Sequence, residues 1–477
     1  MLGSTDDLLL VSAIRAGITE LGGLVPATFE GATNVCGAES KPQMPGKAAG
    51  LLKRILTGEL DASLPEFLQL TAERGFIVPP ETLPALLGLG KNELRKLVIP
   101  VIGERGRWLA AHNPAWAYAL GRAPLEAWEN GLKAERIAAL EQVRASEPGK
   151  AREWVQASWE QDSPEDRAAF LATFSVGLGM DDEPFLETCL DDKRKEVRDT
   201  ARGLLMRLED SRFVRRMWAR VRPLVGLKSK FLGGETFDVT LPAGLDAAAK
   251  RDGLGGSLLR KKMGEKANLL AQMLASIPPA LWSREFNRPS EKLVGLALRS
   301  EWKEPLLLGW QLAAEGARDV AWAEAIAPLW ATQAEGRSIL EPDALPALVM
   351  LVPVEKVEAL VTSIKPIINE LDDKHLLISL LEKYKRPWTT KMARAVVQSA
   401  QRQSGDFRAN LPQALPGFAL WMPPELADEF SLGWAAEPKG YWRAKVDEFL
   451  IVLRFRNEMR ESLFSVSNRE ARQGREV

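Results

Sequence analysis

Residues 185–208, FLETCLDDKRKEVRDTARGLLMRL, constrain the fold of this chain more than any other stretch. A short apolar run ends in an Asp-Asp turn, and a second run opens on Glu-Val-Arg. In that second run Val197, Ala201, Leu204, Leu205 and Leu208 fall at i, i+4, i+7, i+8 and i+11, which is one face of an α-helix. The pattern predicts a helical hairpin with an apolar seam. Such a hairpin buries only part of that seam alone and needs neighbours to stack on.

An Asp before the second helix and an Arg six residues later, Asp192 and Arg198, have the spacing of HEAT-type repeats. Asp192 is placed to cap the second helix and Arg198 to bond turn residues, so both read as structural. Upstream, Ser163-Pro164-Glu165-Asp166 is a helix start: Ser163 caps, Pro164 suits the first helical position, and the acids complement the helix dipole. That helix is expected to run to about Leu178, with a second start at Asp181-Asp182-Glu183-Pro184 and a third helix from about Lys193. The expected fold is all-α, a HEAT-like α-solenoid of irregular helical hairpins.

The helical pattern fails near 223–256, where Thr236 to Leu241 alternate like a short strand or hairpin arm and glycines follow. The expected division is an N-terminal helical-repeat region (1–222, with a first helix at 1–21 and a Gly/Pro-rich loop at 22–46), an irregular or small β insertion (223–257), a C-terminal helical-repeat region (258–464) and a disordered tail (465–477). A long final helix is expected from Trp442 to Leu463.

Two cysteines, Cys36 and Cys189, exclude a disulfide framework or a cysteine zinc site. The N-terminal residues lack the pattern of a signal peptide, and no apolar run approaches the roughly 18 residues of a membrane helix, so a cytoplasmic location without membrane contact is expected. Only two histidines exist, His112 and His375, and no HExxH, Gly-x-Ser-x-Gly, Walker loop or GxGxxG occurs. No catalytic residue, metal or cofactor is expected. Carboxylates Asp181, Asp182, Asp191 and Asp192 could hold a divalent cation in a hydrolase, but their positions at helix ends fit capping better.

Fifteen tryptophans against three tyrosines is an unusual balance. Trp154, Trp159, Trp302, Trp310, Trp322 and Trp330 fall in helical contexts, where indoles fill gaps between stacked helices or form a stacking platform for a ligand. In ERGRWLAAHNPAWAYAL, Arg105, Arg107, Trp108 and Trp116 are either a shaped junction or a recognition corner. Between Ser211 and Gly234 lie seven basic residues and no acid: Arg212, Arg215, Arg216, Arg220, Arg222, Lys228 and Lys230. This strip reads either as a docking surface for phosphates or an acidic protein, or as a face paired with acids of a neighbouring repeat.

ERGRWLAAHNPAW, the 185–205 hairpin and HLLISLLEKYKRPW together resemble an uncharacterised bacterial family commonly encoded beside MoxR-type AAA+ ATPases, von Willebrand factor A-domain proteins and SWIM zinc-finger proteins. The resemblance implies a scaffold or adaptor beside an ATPase-driven chaperone or metal-insertion system, and it carries over no catalytic residue. The expected function is therefore a non-catalytic scaffold binding a protein such as a MoxR-type ATPase or a von Willebrand A-domain protein. The alternative is a nucleic-acid-binding protein resembling HEAT-repeat DNA glycosylases, in which indoles and carboxylates face a duplex.

Overall fold

The computed structural model describes residues 36–89, 92–120, 124–229, 234–256, 259–331, 340, 345–363, 376–404, 411–435 and 442–464. The expected first helix, most of the Gly/Pro-rich loop, Lys230, His375 and the tail lie outside the described residues. The fold is all-α: helices follow one another from Gly46 to Phe464, and the sheet consists of two strands. No helix among the described residues is long and apolar enough to cross a membrane.

The defining hairpin forms from Glu183–Cys189 and Lys195–Met206. Val197, Ala201, Leu204, Leu205 and Leu208 are buried, so the predicted face is the packed one. The preceding helix, Pro164–Ala172, starts as its sequence dictates, with the Ser163 hydroxyl accepting the Asp166 N–H at 3.1 Å. It ends earlier than expected and gives way to a turn of 3-10 helix, Thr173–Ser175. The chain then reverses at Gly177, whose φ of +58° and approach to the Arg144 carbonyl leave no room for a Cβ.

Strands β1 (Val225–Ser229) and β2 (Glu235–Val239) pair antiparallel, with Leu227 opposite Phe237 and Val225 opposite Val239. Period-two alternation puts these four apolar residues on one face, while Lys228 and Asp238 on the other form an ion pair at 2.8 Å. The expected strand at 236–241 is thus the second arm, shifted by one or two residues, and its partner precedes it.

Val225, Phe237, Ala249 and Leu254 belong to an apolar core whose residues run from Trp128 to Leu453. A second core gathers residues between Met44 and Ala119. The apolar face of the two strands packs into the larger core.

Trp310 and Trp322 are fully buried and meet edge-on at 4.9 Å, in a chain of aromatic contacts that includes Trp218, Trp282, Phe286 and Phe237. Neither offers a surface for stacking a ligand. Trp154, Trp159 and Trp302 are half-buried against the same core, and the Trp330 side chain lies outside the described residues.

The last helix, Trp442–Phe464, joins the two cores. Trp442, Val446, Phe449 and Leu453 enter the larger one, and Phe455, Met459 and Leu463 enter the smaller. At the crossing the buried Arg456 donates through Nε and Nη2 to Glu66 at 2.6 and 3.0 Å, and through Nη1 to the carbonyls of Met422 and Ala419. Arg460 adds two further bonds to Glu66. Burial alone would raise the Glu66 carboxyl, and the two guanidiniums outweigh it and hold it below the usual range. Residues 390 positions apart are thereby tied together. An open stack, in which each repeat touches only its neighbours, has no such contact between its ends.

Glu66→Ala would leave Arg456 buried without its carboxylate, and a loss of about 3 kcal/mol is expected in urea unfolding. Arg460→Ala, which removes the more exposed partner, should cost clearly less.

Candidate functional site

Acidic and basic residues on successive helices are spaced alike. Glu183, Glu187 and Asp191 fall at i, i+4 and i+8 along the first hairpin helix and its turn, and Arg212, Arg216 and Arg220 do the same along the helix Arg212–Val221. The helices align these rows. Arg212 meets Glu183 through Nε at 2.8 Å and Nη2 at 3.0 Å, and its backbone N–H also donates to Glu183 at 3.1 Å. Arg216 reaches Glu187 at 3.0 Å.

The third position is completed from the segment after the strands. Asp252, almost fully buried, accepts Arg216 at 3.1 and 2.8 Å and Arg220 at 2.8 Å. Arg251 joins the same cluster: it grips Asp191 with two bonds of 2.7 Å, donates to the Glu187 carbonyl at 3.2 Å and lies 3.6 Å from the Glu187 and Asp252 carboxylates. Burial works to raise the Asp252 carboxyl, but the Arg216 and Arg220 guanidiniums prevail and lower it. Arg212 lowers Glu183, and Arg251 lowers Asp191, in each case chiefly by hydrogen bonding.

The expected docking strip is therefore mostly paired. Arg212, Arg216 and Arg220 hold helix to helix, Arg222 pairs with Glu285 at 2.8 Å, and Lys228 pairs with Asp238 across the two strands. Arg212, Arg222 and Lys228 stay more than half exposed in their pairs, and Arg215, 70% exposed, lies 3.7 Å from a similarly exposed Asp210.

Asp192 braces the hairpin turn. Its Oδ1 accepts the Arg194 N–H at 2.8 Å, its Oδ2 accepts Arg167 of the preceding helix at 2.9 Å, and its carbonyl accepts Arg198 at 2.7 Å. The helix begins at Lys195, so Asp192 closes the turn before it and does not cap it directly.

Beneath this lies a pair that sequence reasoning missed. Arg144 is fully buried, and each of its N–H-bearing nitrogens is bonded: to Asp182 at 2.8 and 2.7 Å, and to the carbonyls of Pro148, Phe174, Val176 and Gly177. Arg152 adds a bond to Asp182 at 2.9 Å. Burial opposes the Asp182 charge, yet Arg144 and Arg152 hold its carboxyl below the ordinary range. Of the four carboxylates considered above as possible cation ligands, Asp182, Asp191 and Asp192 are each engaged by arginine, and Asp181 joins none of the described ion pairs. Among the described residues no group of three or more His, Cys, Asp or Glu side chains is placed to hold a metal ion. Burial pushes the Cys189 thiol up to about 12, which leaves it unreactive at neutral pH.

The residues expected to form a junction or recognition corner lie on the helix Gly103–Ala111 and on the 3-10 helix Pro114–Leu120 that packs against it. Glu39 accepts the N–H groups of Glu104 and Arg105 at 2.7 and 2.9 Å, fixing the start of the helix Gly103–Ala111. Arg107 pairs with Glu104, Trp108 lies against His112 with ring centroids 4.4 Å apart, and Trp116 packs on the smaller core. Arg105 has an exposed side chain.

Arg216→Glu would set a carboxylate beside Glu187 and Asp252, so a loss of about 3 kcal/mol or more is expected in thermal or urea unfolding. Arg215→Glu should shift stability by no more than about 0.5 kcal/mol. The depressed carboxyls also set an acid limit. Below about pH 4 the unfolded chain binds protons that folded Asp182, Asp252 and Glu183 still refuse, so stability present at neutral pH is lost as pH falls through that window. Urea midpoints at pH 7 and pH 3 measure this loss, which Asp182→Asn should reduce.

A comparison with curated proteins finds no match. A family model described as a family of unknown function, DUF5691, matches residues 2–463. With nearly the whole chain covered, the protein belongs to the DUF5691 family.

Proposed function

We propose that the protein is a non-catalytic helical scaffold that binds another protein in the cytoplasm. The observation that carries this reading is the employment of its polar side chains. Six of the clustered carboxylates that could have served acid-base or metal chemistry, Asp182, Glu183, Glu187, Asp191, Asp192 and Asp252, bridge to arginines of other segments. They build a rigid body whose remaining capacity is its surface. Rigid, pre-organised helices suit recognition of a macromolecule, because little ordering entropy is spent on binding.

The resemblance to a family encoded beside MoxR-type AAA+ ATPases and von Willebrand A-domain proteins makes those two classes the first partners to test. Pairing of the arginine strip speaks against the nucleic-acid alternative, since a duplex is held by a track of free cations along its phosphates.

Affinity purification of the full chain from its native host is expected to retain an ATPase or a von Willebrand A-domain protein, which then binds the purified chain directly. Retention of no protein, together with duplex binding that weakens steeply between low and moderate salt, would overturn the scaffold reading in favour of nucleic acid.

A further inference from the structure

The hairpin turn holds a charge imbalance that becomes visible only after the ion pairs are assigned. Its sequence, Asp191-Asp192-Lys193-Arg194-Lys195, looks nearly self-neutralising. In the fold both acids are claimed from outside: Asp191 by Arg251 of the segment after the strands, and Asp192 by Arg167 of the preceding helix. Lys193, Arg194 and Lys195 are exposed, and their side chains join none of the described ion pairs. Glu196, also exposed, is a single carboxylate against three cations.

Helix stability does not account for this arrangement. Positive charge at the start of the helix Lys195–Met206 opposes the helix dipole, which would favour acids there. Three adjacent cations in water also repel one another, and Glu196 alone does not balance them. The run is short, so it cannot follow the phosphates of a duplex as a longer basic track would, and the arginine row that could have extended it is neutralised. A compact, exposed cationic turn on a braced hairpin matches a short cluster of carboxylates.

We propose that residues Lys193, Arg194 and Lys195 form the docking point for an acidic segment of a partner protein, an assignment that rests on the scaffold reading above and places its contact surface. The side chains reach outward while Asp192, bonded to Arg167, Arg194 and Arg198, keeps the turn rigid beneath them.

The probe is poly-L-glutamate binding to the full chain at low salt, measured for the wild type, for the triple variant Lys193→Glu, Arg194→Glu, Lys195→Glu, and for Arg215→Glu as an exposed-cation control. The expected result is at least a tenfold weaker affinity in the triple variant and little change in the control. Thermal stability of the triple variant should change little, because the new acids suit the helix start but repel Asp191, Asp192 and Glu196. Equal binding by the triple variant and the wild type would overturn the assignment. So would a loss of the same size in Arg215→Glu, which would mark diffuse charge attraction, or tighter binding of a short duplex that the triple variant also loses. If the wild type retains a protein partner and the triple variant retains it equally, the docking point is refuted and the scaffold reading stands. If the wild type retains no protein and binds a duplex in a steeply salt-dependent way, the scaffold reading itself fails.

Discussion

Guanidinium–carboxylate pairing between helices is the interaction on which this structure depends. Helices of seven to fifteen residues, such as Glu183–Cys189 and Lys303–Ala317, have too little length to be stable alone and must be fixed by what they touch. Apolar burial supplies the driving force but not the register. The pairs supply it: Glu183 to Arg212 and Glu187 to Arg216 set one helix against another at a four-residue repeat, and Asp252 locks the segment after the strands to the same row. Arginine suits this role because its planar fork meets a carboxylate with two bonds while a further N–H reaches another acceptor.

The buried pairs act at deeper points of the fold. Arg144 with Asp182 ties a helix end, two loops and the start of the hairpin into one unit, and Arg456 with Glu66 closes the last helix on an early one. Desolvating these charges is expensive, and replacing each pair with apolar side chains would often cost nothing. Their value lies in specificity. A guanidinium that must satisfy Asp182 and four carbonyls admits one arrangement of those segments, whereas an apolar contact admits several.

Periodicity made the helices legible: Val197, Ala201, Leu204 and Leu205 advertise a buried face, and Ser163-Pro164 announces a helix start that the fold uses. The strand arm at 235–239 was partly readable from its alternation. Arg144 was not, because an arginine in an amphipathic helix carries no local sign of burial; its partner Asp182 lies 38 residues away. The arginine row was visible and so were the acids at 183, 187 and 191, and their common four-residue spacing was the signal that joins them. Asp252 carried no signal, since its role depends on where the strand pair delivers the chain. The closure through Glu66 is a matter of tertiary geometry that no local pattern encodes.

The same pairing explains why charge read along the sequence differs from charge read in the fold. A row of arginines attracts notice because it is free of acids in sequence, yet sequence proximity is irrelevant to screening; at hydrogen-bonding distance a carboxylate from another helix removes the row's long-range field. The inverse holds for the hairpin turn. Asp191 and Asp192 sit beside the cations of Lys193 to Lys195 in the chain, but their charge is spent on Arg251 and Arg167. Local sequence therefore overstates the basic character of the strip and understates that of the turn. In a fold braced by ion pairs, the charge left at the surface is what pairing does not use, and in this hairpin that remainder is the three-cation turn.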